Sequence, residues 1–426
     1  MKRTILFLFF FLITVNTYSQ DVNFNEYFIS QTLRIDLIHA GNFESENYFL
    51  EKLIKEPYWG GSKTHLIDKF RYGENIVEVY DYATDKLIYS RGYATLFQEW
   101  KATEEAKKIS RSFYETVIIP YPVNKIRVVI SGRMRRAEFT KMFEFIVDPR
   151  DYFIQPSQPP VFEVEKILYN GDPAEKVDIV ILCDGYTINE VKKMENDANN
   201  IKECIINCSP FKEFKNNFNI WLVKSISEES GTDIPGERIY KNTILNSSFY
   251  TFNIDRYLMT TDIKTVRDLA GYVPYDQIFI IVNTDKYGGG GVYNYYALTS
   301  SDNPYVAYVT VHEFGHSFAS LADEYYTSEV ATEDYYDLKI EPYEPNITTL
   351  VDFKSKWADL VEEEVPIPTP SEEKYKGKVG AFEGGGYVAK GVFRPMMDCT
   401  MKSIKYNNFC KVCSNAIIEM IKFYSK

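Results

Sequence analysis

The stretch VHEFGHSFASLADEYY, at positions 311–326, decides how this chain folds and what chemistry it can support. It contains His312-Glu313-Phe314-Gly315-His316, which is an H-E-x-x-H pattern. Residues four apart lie on one face of a helix, so both imidazoles can reach the same metal ion. A catalytic zinc ion has three protein ligands and leaves one position open for water. We therefore predict a zinc (Zn2+) site held by His312 and His316, where Glu313 accepts the proton of the metal-bound water.

A third ligand is needed, and the sequence leaves its identity open. The chain has four histidines, and the other two, His39 and His65, lie far away in the N-terminal half, where we expect ordinary polar residues. A carboxylate is therefore expected as the third ligand. Asp323 is the first choice, ahead of Glu324 and Glu333.

Asp323 can reach the ion only if the chain turns back. On an ideal helix it would lie about 10.5 Å from His316 along the axis, whereas a zinc–carboxylate bond is about 2.1 Å long. The helix must therefore end after Phe318, although no glycine follows there to ease the turn. The alternative role for Asp323 is to orient a ligand or to lie at the helix end.

The composition is that of a folded, acidic protein. The chain has 426 residues, enough for two or three domains of about 150 residues each. Hydrophobic residues make up 45% of the chain, which allows a large core. The net charge is -12, and no cluster of Lys and Arg indicates a nucleic acid partner.

Residues 1–20 have the pattern of a signal peptide. Lys2 and Arg3 precede an apolar run at residues 5–15, which is too short to span a membrane because a spanning helix needs about 20 residues. No later stretch is long and apolar enough for this purpose. We therefore expect an exported protein, periplasmic, cell-surface or secreted, with no integral membrane segment once the signal peptide is removed.

The N-terminal half, residues 21–160, is predicted to be an antiparallel β-sandwich. A hairpin is expected at residues 76–93, with further β-rich runs at 116–130 and 143–147, a possible helix at 97–110 and a proline-rich linker at 154–160.

The C-terminal half, residues 161–426, is predicted to be the catalytic domain. Apolar runs predict strands at residues 177–182, 218–223 and 277–282, and helices are expected at 187–208 and 256–269. Strands that alternate with helices indicate a three-layer or mixed α/β core.

A run of four glycines lies before the H-E-x-x-H helix, in YGGGGVYNYY at positions 287–296. No G-K-[ST] follows it, so it is not a phosphate-binding loop. As a flexible loop or an edge strand beside the cleft, it could hydrogen-bond the backbone of a substrate. We therefore predict that Gly289, Gly290, Gly291 and Tyr293 bind substrate, and the alternative is a mobile linker.

Residues 393–414 contain three methionines and three cysteines. Cys410 and Cys413 form a lone C-x-x-C, which is weak evidence for a second zinc site because no second pair is present. In an exported chain, the stronger expectation is a disulfide of Cys399 with Cys410 or Cys413.

The histidine helix and the C-T-M segment at residues 399–401 resemble the metzincin group of zinc peptidases, in which a methionine turn lies beneath the metal site. Met401 is the best match for that turn, ahead of Met396 and Met397. More closely, the chain is similar to the IgA-peptidase family of bacterial metallopeptidases. This similarity is carried by Asp184-Gly185-Tyr186-Thr187, the glycine run, HEFGHSFASLADEY at 312–325, the C-T-M segment and F-C-K-V-C at 409–413.

The resemblance implies a zinc endopeptidase, with an N-terminal β-sandwich followed by a zincin-like α/β metallopeptidase domain. It implies His312 and His316 as ligands, Glu313 as the catalytic acid and base, and Met401 as the methionine turn.

The chain departs from the wider metzincin pattern after the second histidine. That pattern has a glycine three residues later and a ligand six residues later. Ala319 and Ala322 stand at those positions, and the acid follows at Asp323. This departure leaves the identity of the third ligand open, but it does not change the prediction of a zinc site.

We expect a protein or glycoprotein substrate, without assigning immunoglobulin A. A tyrosine such as Tyr325, Tyr326 or Tyr406 could help to stabilise the oxyanion. Two alternative functions are a glycan- or protein-binding module on a zincin scaffold and a zinc amidase or deacetylase. The intact Glu313 argues against a binding module, because a non-catalytic site needs no base.

Overall fold

The structure is a computed structural model that describes residues 22–133, 138–326, 336–405 and 408–426. The predicted signal peptide, Glu333 and Tyr406 lie outside these residues. The described chain is a mixed α+β protein with several sheets. Its helices are all too short or too polar to cross a membrane, as far as the described residues go.

The N-terminal half forms two four-stranded sheets, in the orders β5-β1-β2-β8 and β4-β3-β6-β7. The strands are β1 (Phe28–Gly41), β2 (Glu46–Glu56), β3 (Asn75–Asp81), β4 (Leu87–Tyr93), β5 (Arg111–Pro122), β6 (Ile126–Arg133), β7 (Phe139–Val147) and β8 (Gln155–Pro156). Apolar side chains of both sheets, such as Ile35 and Val128, belong to one buried core. This is the two-layered arrangement of a β-sandwich. Its strand pairs run antiparallel as predicted, except that the short β8 pairs parallel with β2.

The predicted hairpin is confirmed, because β3 and β4 pair antiparallel with Val77 opposite Arg91. Two short helices accompany the sheets, α1 (Phe24–Tyr27) and α2 (Leu96–Lys101). The helix predicted at residues 97–110 is therefore too long. It ends early because the hydroxyl of Thr103 donates a hydrogen bond to the carbonyl of Trp100, which competes with a further helical turn.

The C-terminal half is built on a six-stranded sheet of order β13-β14-β12-β10-β11-β9. Its strands are β9 (Val164–Leu168), β10 (Val177–Asp184), β11 (Phe218–Val223), β12 (Gln277–Val282), β13 (Gly289–Val292) and β14 (Tyr296–Ser300). The inner strands run parallel and both edge strands run antiparallel to them. The three predicted strands, which correspond to β10, β11 and β12, are confirmed and buried throughout.

The remaining elements are α3 (Val191–Ile206), α4 (Ile263–Ala270), α5 (Val306–Ala319), β15 (Phe382–Gly385), β16 (Val388–Arg394) and α6 (Lys411–Tyr424). The helix predicted at residues 256–269 begins only at Ile263, because Asp262 caps its first turn by accepting from the Thr265 amide. Helix α5 packs on β13 and β14 and against α3 and α6.

The N-terminal half contacts the glycine-rich edge of this sheet directly. The amide of Ala94 donates to the carbonyl of Tyr293 at 2.9 Å, and the side-chain amide of Asn294 donates to the carbonyl of Gly92 at 2.7 Å. Phe97 and Trp100 are buried in the core of the C-terminal half. The N-terminal half therefore supports the glycine-rich strand, which forms one wall of the cleft described next.

Candidate metal centre and substrate cleft

Helix α5 presents both histidines of the H-E-x-x-H pattern on one face. Nε2 of His316 lies 3.2 Å from Nε2 of His312. His312 is buried and His316 is partly exposed, so the pair lies at the floor of a cleft and not on the outer surface. The spacing therefore brings the two imidazoles together as the sequence predicts. The other two histidines take no part, since His39 lies beside Glu115 and His65 beside the carbonyl of Phe423.

The chain turns back directly after this helix. The helix ends at Ala319, and Ser320 adopts a left-handed conformation with a φ of 54°. A residue with a side chain pays roughly 1–2 kcal/mol for this conformation, and the surrounding contacts must offset that cost. The side chain of Asn346 supplies two of them, because it accepts from the Ala322 amide at 2.7 Å and donates to the Ala322 carbonyl at 2.8 Å.

This turn brings Asp323 to the histidines. Its Oδ1 lies 3.0 Å from Nε2 of His312 and 3.5 Å from Nε2 of His316. The neighbouring acid, Glu324, points away from them towards the thiol of Cys413. Three carboxylates were considered as the third ligand. Of the two that the structure describes, Asp323 contacts the imidazoles and Glu324 does not.

The outer nitrogens of the two imidazoles determine their tautomers. Nδ1 of His312 lies 3.1 Å from the carbonyl oxygen of Thr400, and Nδ1 of His316 lies 2.5 Å from that of Leu321. A carbonyl oxygen can only accept a hydrogen bond, so each Nδ1 carries a proton. In a neutral ring, Nε2 then presents a lone pair to the centre of the site.

The donor set fits a metal ion. Oδ1 of Asp323 is buried and accepts no hydrogen bond from the described residues. Atoms bound to a tetrahedral zinc at about 2.0–2.2 Å lie about 3.3–3.6 Å from one another. The three atoms of His312, His316 and Asp323 lie 3.0–3.5 Å apart, close to this spacing.

The charged groups of the site shift each other's pKa. Burial would raise the pKa of Asp323, but the imidazoles of His316 and His312 outweigh it and hold that pKa well below its ordinary value. Burial would lower the pKa of His316, but Asp323 outweighs it and raises the pKa to about 9. Burial raises the pKa of Glu313, and the two imidazoles oppose this only in part. A glutamate with a raised pKa is better matched to proton transfer near neutral pH.

The glycine run forms the edge strand β13 and is not a mobile linker. Gly289 and Gly291 face helix α5. A Cβ on Gly289 would lie 2.6 Å from Val309, and a Cβ on Gly291 would overlap the carbonyl of Glu313. Glycine is therefore required here because the strand backbone lies directly against the helix that carries Glu313.

The outer edge of β13 is open only in part. The carbonyl of Gly289 accepts from the Leu258 amide at 3.4 Å, and that of Tyr293 accepts from Ala94. The stretch that includes Gly290 and Gly291 lies between these two bonds and lines the cleft. The ring of Tyr293 is buried next to Tyr72 and offers little surface to a substrate.

Met401 lies beneath the helix. It is fully buried, and a Cβ on Gly315 would lie 3.0 Å from its sulfur. Its carbonyl accepts from the amide of Glu324 at 2.8 Å, which ties the segment to the returning chain after Asp323. The residue before it, Thr400, supplies the carbonyl that orients His312. Met401 thus packs beneath the helix that carries the two histidines.

Several cleft residues were not identified from the sequence. The hydroxyl of Tyr387 donates to Oδ2 of Asp323, and Arg256 and Tyr308 also line the cleft. The N-terminal half contributes Glu74 and Glu99 to the lining of the cleft. These residues are scattered along the chain, and only their type, tyrosine or charged, could have marked them.

The tyrosines that were considered for the oxyanion differ in position. Tyr325 is half-buried and lines the cleft, where its ring lies 5.5 Å from that of Tyr387. Tyr326 is 39% exposed and packs on Gly384 instead. Tyr325 is therefore the better placed of the two.

The predicted disulfide is absent. Cys399, Cys410 and Cys413 are free and buried, and the sulfur atoms of Cys399 and Cys413 lie 3.8 Å apart. A disulfide requires about 2.05 Å. The prediction was wrong because the three thiols are grouped in the fold, as their spacing indicates, but are not covalently bonded to one another.

Two imidazole nitrogens and a carboxylate oxygen around one point, with a glutamate beside them in an open cleft, are the arrangement of a metallopeptidase. The family model described as IgA Peptidase M64 matches residues 166–376 and 371–421, and the model described as Peptidase M64 N-terminus matches residues 23–144. The chain therefore belongs to the IgA peptidase M64 family, whose members are metallopeptidases. A comparison with curated proteins found no match.

Proposed function

We propose that this chain is an exported zinc-dependent endopeptidase. The observation that carries the proposal is the convergence of Nε2 of His312, Nε2 of His316 and Oδ1 of Asp323 within 3.5 Å of one another. Three lone pairs at such separations repel each other unless a cation or a proton lies between them. Imidazole with one carboxylate is a donor set that suits zinc, and it leaves a fourth position open.

Zinc bound there would supply a Lewis acid that acidifies water and polarises the substrate carbonyl. Glu313 lies beside this point and takes the proton of the attacking water on its carboxylate. It then passes the proton to the leaving amine. Tyr387 binds Oδ2 of Asp323 and so leaves Oδ1 for the metal.

Arg256 and Tyr325 are the groups we assign to the oxyanion. Burial raises the pKa of Tyr325 well above its ordinary value, so its hydroxyl keeps its proton at neutral pH and can donate a hydrogen bond. The guanidinium of Arg256 lies 6.0 Å from the Tyr325 ring, within the same cleft. A donor and a cation placed in advance stabilise negative charge as it develops on the carbonyl oxygen.

The substrate is a protein or glycoprotein whose backbone lies along β13. Gly290 and Gly291 both line the cleft, and Gly291 is partly exposed there, whereas Gly290 is buried against Met259. The backbone of Gly291 is therefore the part of β13 that we assign to the substrate.

Glu74 also lines the cleft, where it accepts from the hydroxyl of Tyr343, and its carboxylate favours a substrate segment that carries positive charge or hydrogen-bond donors. Burial raises the pKa of Glu99 to about 7, so this second carboxylate adds less negative charge at neutral pH.

A labelled peptide blocked at both ends tests the reaction. We expect the zinc-loaded enzyme to cut it internally into two fragments and Glu313→Gln to leave it intact. Removal of an acyl group without backbone cleavage would instead identify an amidase or deacetylase. Tight binding of the intact peptide by both proteins would identify a binding module.

Export rests on residues 1–20 and is tested separately. The N-terminus of the protein isolated outside the cytoplasm should lie near residue 21. A protein that stays in the cytoplasm with residues 1–20 attached would contradict export and would leave the peptidase proposal untouched.

A further inference from the structure

A second cluster of metal-binding side chains lies next to the histidine site. Glu324, Cys399, Cys410 and Cys413 are buried, and their ligand atoms all lie within 4.8 Å of one another. The sulfur of Cys413 lies 3.1 Å from Oε1 of Glu324 and 3.8 Å from the sulfur of Cys399. The cluster links three segments of the chain. These are the segment that follows Asp323, the segment around Met401 and the start of helix α6.

One buried polar atom of the cluster has no hydrogen-bond partner among the described residues. This atom is Oε2 of Glu324. Such a carboxylate oxygen costs free energy unless a proton or a cation satisfies it. Backbone amides already point at the sulfurs, since the Cys410 amide lies 3.2 Å from the sulfur of Cys399 and the Cys413 amide 3.4 Å from that of Cys410. Amides at a helix start favour the thiolate form.

We propose that Cys399, Cys410, Cys413 and Glu324 bind a second zinc ion with a structural role. Bonds of about 2.3 Å to sulfur and about 2.0–2.2 Å to oxygen place the sulfurs of a tetrahedral site about 3.8 Å apart. The separation of Cys399 and Cys413 has this value. Each thiol gives up its proton to solvent as its sulfur binds the ion. Four protein ligands leave no position for water, so the site holds structure and does no chemistry.

The second ion would stiffen the catalytic site through the backbone. Glu324 follows Asp323, and Cys399 precedes Thr400, whose carbonyl orients His312. The amide of Glu324 also donates to the carbonyl of Met401. An ion that holds Glu324 and Cys399 together therefore fixes both the third ligand and the methionine turn.

Metal content of the purified full chain tests the inference without an activity assay. We expect two zinc ions per wild-type chain and one per chain of His312→Ala/His316→Ala. Cys399→Ser/Cys413→Ser should also lose one ion, while the matched control Cys204→Ser keeps both, because Cys204 lies on helix α3 outside the cluster. One ion in wild type and none in the histidine variant would overturn the second site and leave the proposed function standing.

The histidine variant also gives a test that does not depend on the folding of the cysteine variant. Loaded with Co2+ in place of zinc, it should show the intense near-ultraviolet charge-transfer bands of cobalt bound to thiolates. Absence of these bands, or a disulfide between two of the three cysteines in the non-reduced peptide map, would overturn the proposal.

Discussion

Oδ1 of Asp323 lies 3.0 Å from Nε2 of His312, although helix α5 ends between the two residues. The left-handed Ser320 and the side chain of Asn346 produce this approach. The contact turns a pair of helical histidines into a set of three donors. The chemistry proposed for the cleft depends on that third donor.

Glu313 is the proposed base, so its replacement should affect turnover and not metal binding. We expect Glu313→Gln to retain zinc and to lower kcat by about 10²–10⁴-fold, since that is the usual contribution of a positioned acid–base group. Zinc content and steady-state cleavage of the blocked peptide measure the two effects. Glu51→Gln, on an exposed strand position of the N-terminal half, is the control. Near-normal kcat in Glu313→Gln would remove Glu313 from the mechanism.

The hydroxyl of Tyr387 donates to Oδ2 of Asp323, which we propose as the third ligand. Removal of a hydrogen bond to a metal ligand typically lowers metal affinity by about 10–100-fold. We expect Tyr387→Phe to show a loss of this size in competition with a zinc chelator. Tyr152→Phe is the control because Tyr152 is 86% exposed. Equal affinities of the two variants would show that the hydroxyl does not orient Asp323.

Gly291 allows the edge strand to lie against helix α5. Because a Cβ there would overlap the carbonyl of Glu313, Gly291→Ala should lower the free energy of unfolding by about 1–3 kcal/mol and reduce kcat/KM. Urea unfolding and peptide cleavage test this. Gly385→Ala is the matched control, since the nearest atoms to its Cβ would lie 3.6 Å away. A stable, active Gly291→Ala would contradict the close strand–helix contact.

We expect His39 to make the stability of the N-terminal half depend on pH. Burial would lower its pKa, but Glu115 and Glu46 outweigh it and raise the pKa. A raised folded-state pKa stabilises the protein fully below the unfolded value of about 6.5, and this contribution is lost as the pH rises through the folded-state pKa.

The wild type should therefore exceed His39→Gln in unfolding free energy by more at pH 6 than at pH 9. Urea titrations at the two pH values measure the difference, with His65→Gln as the control for loss of an imidazole. A difference in unfolding free energy that is equal at both pH values, or larger at pH 9, would contradict the ion pair of His39 with Glu115.

The strands of the C-terminal half could be predicted because β10, β11 and β12 are continuous apolar runs buried on both faces. The start of helix α4 was missed, since helix propensity alone did not reveal the cap formed by Asp262. The local sequence pattern therefore predicted where strands and helices lie more accurately than it predicted the residues at which they begin and end.

The histidine pair could be predicted because its geometry is contained in one helical turn. Asp323 was an inference from elimination, and the turn that places it depends on Asn346, which is remote in sequence. Tyr387 and Arg256 enter the cleft only through the tertiary fold, so no local pattern could mark them. The cysteines show the same limit, because their grouping with Glu324 depends on the turn after α5.

The central claim is that the cleft hydrolyses internal peptide bonds of proteins. The most direct measurement is to incubate residues 21–426, loaded with zinc, with a mixture of glycoproteins that includes immunoglobulins, and to map new peptide termini by mass spectrometry. The account predicts new internal termini with the wild type and none with Glu313→Gln. The same termini from both proteins, or none from a zinc-loaded wild type across the mixture and the blocked peptide, would contradict it.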